Sequence, residues 1–132
     1  METNELRIGN LISDGFYIYK VSEISSGIVK GLSTQNGEFF YPDALYSLNE
    51  ENLEGLPLTE EWLLKFGFDR VGEWIGIDFN PRMGIRFYNG NSAECDITQD
   101  DKYIAFKCGF IQYVHQLQNL YFALTGNELE IK

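Results

Sequence analysis

Basic residues are scarce in this chain. Ten lysines and arginines stand against twenty aspartates and glutamates, a formal net charge of −10 over 132 residues. Direct nucleic-acid binding needs cations to neutralise phosphates, so it is not expected. Cysteine is scarce too: Cys95 and Cys108 form neither a Cys-x-x-Cys pair nor a disulfide framework, which predicts a reduced, cytoplasmic chain. With one histidine, they leave no zinc ligand set. Asp96, Asp100 and Asp101 lack the ligand ladder and glycine of a calcium loop. No phosphate-cradling glycine loop and no Gly-x-Ser-x-Gly elbow occur. No cofactor, metal or catalytic group is therefore expected. The N-terminus shows no basic, apolar and small-residue succession, so no signal peptide is expected. The stretch from Cys108 to Asn127 lacks formal charge, but it holds His115 among three glutamines and two asparagines, which argues against a membrane span.

Hydrophobic residues make up 44% and aromatic residues 15%, enough to build a core and to exclude disorder. At this length the chain suits one domain or two small subdomains. The first third reads as short strands. Leu6 and Ile8 alternate with polar neighbours, and Asp14-Gly15 separates Leu11-Ile12 from a strand over 16–21. Ile28, Lys30 and Leu32 continue with period two, Asn36-Gly37 turns the chain into 38–41, and Pro42 is expected to close that strand. Such strands predict an SH3-like or small-barrel region. An acidic connector follows over 43–56, with one helical turn permitted by Ala44, Leu45 and Leu48.

Between 57 and 68 the local signals agree. Thr59 is placed as N-cap, Glu60 and Glu61 lie at the positive end of the helix dipole, and Leu58 and Leu63 fit a hydrophobic staple. Gly67 stops the helix of 60–66, with Phe68 placed to fold back on Leu63. Period two returns over 70–77 as one strand, reaching towards Phe79. Hairpins at Asn80-Pro81-Arg82 and Asn89-Gly90 follow, then a strand over 103–107 and a break at Gly109. Tyr113, Val114, Leu117, Leu120, Tyr121 and Leu124 share one helical stripe, ended by Gly126. Leu129 and Ile131 alternate with Glu128 and Glu130, a pattern compatible with an edge strand. The reading is α+β: SH3-like strands, a short central helix, an antiparallel meander, and a C-terminal helix packed on the sheet. Two subdomains sharing one core are expected: 1–56, the SH3-like strands with the acidic connector, and 57–132, helix, meander and helix.

Three segments carry a resemblance. Glu5-Leu-Arg-Ile-Gly-Asn-Leu-Ile12, Pro57-Leu-Thr-Glu-Glu-Trp-Leu-Leu-Lys-Phe-Gly-Phe68 and Val114-His-Gln-Leu-Gln-Asn-Leu-Tyr-Phe-Ala-Leu-Thr-Gly126 resemble short uncharacterised proteins of Bacteroidota chromosomes, prophages and mobile elements. The resemblance implies a genomic setting and no activity or site.

Charge distribution supplies the functional expectation. No Lys or Arg lies between Lys30 and Lys65, where Glu38, Asp43, Glu50, Glu51, Glu54, Glu60 and Glu61 all fall. The solvated, solubility-giving face is weighed against a docking face for a basic host protein, itself a nucleic-acid binder. A strand must send the neighbours Phe39, Phe40 and Tyr41 to opposite faces, so an aromatic such as Phe40 is expected beside that patch. On the last helix Phe122 falls beside His115 and Gln118, outside the core stripe. Gln116, Asn119 and Ala123 accompany it without charge, so this outer face is expected to be covered. The expected partner-binding set is Glu38, Asp43, Glu50, Glu51, Glu54, Phe40, His115 and Phe122. It points to a non-enzymatic accessory protein of phage or mobile-element origin, most concretely an anti-CRISPR-type inhibitor. The alternatives are a small enzyme or ligand-binding domain using His115, and a homo-oligomeric structural protein.

Overall fold

Asp14 makes the first turn. Its Oδ1 accepts the backbone N–H groups of Phe16 (2.9 Å) and Tyr17 (2.7 Å), and the N–H of Gly15 donates to Ser13 Oγ (2.9 Å). The turn therefore spans 14–17 between β1 (Leu11–Ser13) and β2 (Ile18–Ser25). Phe16 and Tyr17, expected to open the second strand, sit in the turn because the Asp14 carboxylate takes their amides from any ladder. The computed structural model describes residues 3–25, 27–35, 39–80, 83–88, 92–99 and 102–132, with side chains described outside 34–44, 80 and 91–109.

The chain is α+β and divides into two units: Met1–Pro57 with Tyr113–Ile131, and Leu58–Gln112 with Lys132. In the first unit β1 and β2 are followed by β3 (Ile28–Gln35), β4 (Phe39–Asn49) and, after a 3-10 turn at Glu50–Asn52, β5 (Glu54–Gly55). The antiparallel sheet has the order β4-β3-β2-β1-β5, so the last short strand returns to pair with the first. This is the SH3-like arrangement expected of the region. Leu6, Ile12, Tyr19, Val21, Val29, Leu48 and Leu53 form its buried cluster.

Two local expectations fail here. Pro42 does not close a strand, and 44–48 form no helical turn, because β4 runs through both. The β3–β4 register explains the proline: Leu32 faces Leu45 and Thr34 faces Phe40, leaving 41–44 bulged opposite Ser33. A bulge on an edge strand is where a residue without an N–H can sit.

The second unit holds α1 (Glu60–Lys65) and five strands: β6 (Asp69–Val71), β7 (Trp74–Asn80), β8 (Met83–Phe87), β9 (Ser92–Gln99) and β10 (Lys102–Phe110). They form an antiparallel meander in sequence order. Thr59 Oγ1 accepts the Trp62 N–H (3.3 Å), while Gly67 N–H donates to Leu64 O and Phe68 N–H to Leu63 O, both at 3.0 Å. These are the two bonds of a Schellman ending. Leu58, Leu63, Phe66 and Phe68 are buried, and Phe68 reaches Phe87 with ring centroids 6.1 Å apart.

The single strand expected over 70–77 is a hairpin. Val71 pairs with Trp74 across Gly72-Glu73, with Gly72 at φ 62°. Both arms keep the alternation, so period two cannot reveal a reversal that only the glycine's left-handed backbone permits. Gly109 does not end β10 either; the ladder shifts register between Lys107 and Gly109 and continues to Phe110.

The C-terminal helix, α2 (Val114–Thr125), ends at Gly126 with φ 75°. The boundary expected after residue 56 falls after Pro57, but α2 belongs with the N-terminal sheet instead of the meander. Its polar side chains explain this. Gln118 Oε1 accepts the Leu11 N–H (2.8 Å), Gln118 Nε2 donates to Gly9 O (3.2 Å), and Asn119 Nδ2 donates to Glu5 O (3.0 Å). Residues 127–132 form no strand; Leu129 is buried, and Glu128 pairs with Arg7.

Candidate binding site

The start of α2 is tied to the segment around β5. Val114 N–H donates to Leu56 O (2.9 Å), Pro57 and Tyr113 form an antiparallel bridge, and Gln116 Oε1 accepts the Tyr113 N–H (3.1 Å). The Tyr113 ring lies directly against Gly55, where an added Cβ would come within 2.5 Å of ring carbons. His115 stacks on that ring, with centroids 5.7 Å apart and planes 10° from parallel.

These residues border a cleft of about 490 Å³, whose walls include Glu5, Leu53, Glu54, Pro57, Tyr113 and His115. His115 is only 1% exposed, and neither ring nitrogen has a hydrogen-bond partner among the described residues. Burial pushes its imidazole below the ordinary value, opposed by the Glu5 carboxylate. The imidazole lies against the cleft with both nitrogens themselves buried.

Beside the cleft stands the 14–17 turn. Ser13 pairs with Glu54 across the β1–β5 ladder, and the Glu54 carboxylate lies 3.7 Å from the position a Cβ on Gly15 would take. Phe16 is 88% exposed and Tyr17 64%. Burial opposes ionisation of Asp14, but the Tyr17 and Phe16 amides and the Tyr19 hydroxyl outweigh it and hold its carboxyl below the usual carboxylate range. Tyr19 donates its hydroxyl to Asp14 Oδ2 (2.9 Å), and burial together with this bond raises the phenol to about 12. A locked turn thus presents two large aromatics to water beside Asp14 and Glu54.

The expected partner-binding residues do not form one set. The side chains of Glu38, Phe40 and Asp43 lie outside the described residues. Glu50 accepts the Thr3 N–H (3.1 Å), while Glu51 and Glu54 are exposed in the first unit. The run expected to be uncompensated is interrupted in the second unit: Glu60 pairs with Arg70 (2.5 Å) and Glu61 with Lys65 (3.9 Å). Cations from outside the stretch supply the compensation that linear counting missed. The Arg70 bond holds the Glu60 carboxyl low and raises the guanidinium.

His115 and Phe122 are separated as well. His115 is buried and presents no surface of its own. Phe122 remains 39% exposed beneath the Arg7 guanidinium, 3.9 Å from its ring centroid. The outer helix face expected to be covered is covered only in part: Asn119 Oδ1 accepts from Arg7 Nη1 (2.8 Å) and Asn10 Nδ2 (2.9 Å), whereas Phe122 and Ala123 remain exposed. Sequence reasoning missed Phe16, Tyr17, Glu5 and Tyr113 as site residues. The one legible signal was Asp14, a residue whose carboxylate builds turns from its own following amides.

Among the described residues no three His, Cys, Asp or Glu side chains are grouped to hold a metal ion. No described helix is long and apolar enough to cross a membrane.

The chain matches no protein-family model, and no solved structure matches it. It is similar to an uncharacterised protein of Methanocaldococcus jannaschii, 29% identical over 85 residues, covering 64% of this chain and 32% of the relative. The chain thus spans about a third of the length of that curated relative.

Proposed function

We propose that the chain is a non-enzymatic accessory protein that docks on a basic protein partner through the 14–17 turn and the adjoining carboxylates. The observation that carries this is Phe16, 88% exposed on a turn held by Asp14. Covering so exposed a ring on binding removes much apolar surface from water, and aromatic anchors dominate interface energetics. Asp14 and Glu54 beside it, with the net charge of −10, favour a cationic face opposite. In its concrete form, the partner is a host nucleic-acid-binding protein whose phosphate-binding surface is covered, as an inhibitor encoded by a phage or mobile element would do in the cytoplasm.

The test is capture from host lysate, identification of the retained proteins, and titration of the purified partner against the wild type and Phe16→Ala. The expected partner is strongly basic, and the variant binds it at least about tenfold more weakly. Retention of no basic protein at moderate salt, or equal binding by the variant, overturns the reading.

A further inference from the structure

We propose that the partner pairs an extended, lysine- or arginine-rich segment with the outer edge of β4 over 45–49, lengthening the first sheet by one strand. The inference rests on the docking reading above and names the element that the basic partner supplies.

The two edges of that sheet are unlike. At one, β5 has two residues, the Tyr113 ring rests on Gly55, and Pro57 bridges to Tyr113, so the start of α2 closes it. At the other, β4 is eleven residues long and stands last in the strand order. Its register with β3 runs without a shift from the Ile28–Asn49 pair to the Leu32–Leu45 pair. Neighbouring strand residues point to opposite faces, yet Leu45 (46%), Tyr46 (50%) and Ser47 are all exposed, as an uncovered edge requires. An edge strand presents a row of unpaired N–H and C=O groups, which proteins blunt with a charge, a proline or a bulge. Pro42 and the bulge do so for 41–44, whereas Leu-Tyr-Ser-Leu-Asn over 45–49 has none of these. Tyr46 is held edge-on against Tyr19, with ring centroids 5.9 Å apart, and offers a fixed apolar neighbour to a cross-strand side chain.

Charge chooses the occupant. No Lys or Arg occurs between Lys30 and Lys65, and Lys30 itself pairs with Glu23 (3.5 Å). Along the chain the charges that flank 45–49 are therefore Asp43 before it and Glu50 and Glu51 after it. A second copy is disfavoured. Antiparallel pairing about Ser47 sets residue 51 of each copy across from residue 43 of the other, both acidic, and joins two chains of net charge −10. A basic segment meets the same carboxylates with attraction while its backbone fills the ladder.

The probe is a blocked seven-residue peptide alternating Lys and Val, titrated into the isotope-labelled full chain and followed by NMR. Saturable shifts and at least about tenfold slower hydrogen exchange at alternate amides of 45–49 are the expected result. A Lys-Pro peptide of equal charge cannot form a ladder, and a Glu-Val peptide carries the wrong sign, so neither gives that protection. Ser47→Lys places a cation on the edge and abolishes the protection, with an unchanged far-UV circular dichroism spectrum. No protection by the Lys-Val peptide, equal protection by either control, or protection that Ser47→Lys leaves intact overturns the proposal. Concentration-dependent dimerisation of the free chain that Ser47→Lys removes does the same, because a second copy is then the occupant. Failure here with partner binding still sensitive to Phe16→Ala removes the strand assignment and leaves the docking reading standing. Edge pairing with partner binding insensitive to Phe16→Ala removes the turn as the docking surface instead.

Discussion

His115 stacks on Tyr113 at 5.7 Å and 10°, and the Tyr113 ring in turn rests on the bare backbone of Gly55. The helix start, the last strand of the SH3-like sheet and the floor of the cleft are thereby parts of one contact. Gly55→Ala would bring a methyl within 2.5 Å of the ring and displace it. The expected cost is about 1–3 kcal/mol, read as a lower urea midpoint, and the His115 resonances should shift as the stack loosens. Unchanged stability and unchanged imidazole signals would count against this packing.

The same buried imidazole predicts a pH dependence. Its folded pKa lies below the ordinary 6.5, so the unfolded chain binds the proton more readily. Above pH 6.5 the group adds no penalty. As pH falls through 6.5 towards the folded value, stability declines by at most about 1.4 kcal/mol per pH unit. Urea titrations between pH 7.5 and 5 should show this slope, and His115→Phe should flatten it. An identical slope in the variant would assign the effect to other groups.

Asp14→Ala removes the acceptor for two turn amides and for the Tyr19 hydroxyl. We expect about 1 kcal/mol of destabilisation and faster hydrogen exchange at Phe16 and Tyr17. The Tyr19 phenol, raised to about 12, should ionise closer to 10 when followed by ultraviolet titration. Partner binding should fall along with turn rigidity, although Asp14 need not touch the partner.

Gln118→Leu tests how α2 is held to the first unit. The side chain is buried, and its amide serves Leu11 N–H and Gly9 O at once. Leucine of similar volume leaves both unmet, at about 1–3 kcal/mol per buried group. A neutral result would mean that the two backbone groups find other partners.

Structure that depends on a few neighbouring residues was legible. Thr59, Leu58, Leu63, Gly67 and Phe68 specify α1 through bonds and contacts within about ten residues. Gly126 marks the end of α2 for the same reason. The α+β class and the SH3-like order followed from turn signals and periodicity. Misreadings arose where one pattern serves two structures. Alternation over 70–77 fits one strand or two, and Leu45 and Leu48 fit a helical turn or a strand.

Burial and pairing between distant segments needed the tertiary structure. His115 and Gln118 were read as an outer face because uncharged polar residues on a helix look the same whether solvent or another segment meets them. Residues 5–11, more than a hundred positions away, supply the partners: Asn10 to Asn119 at 2.9 Å and Leu11 to Gln118 at 2.8 Å. Carboxylates likewise carry no sign of their counter-ions, and only the fold brings Arg70 to Glu60. The turns expected at Asn36-Gly37, Asn80-Pro81-Arg82 and Asn89-Gly90 lie wholly or partly outside the described residues. By itself the sequence determined the helix ends, the turn at Asp14, the fold class and the acidic balance, because short-range bonds and composition act without reference to topology. The tertiary structure decided which polar groups are buried and paired and which aromatics remain in water, because those properties belong to neighbours that only the folded chain assembles.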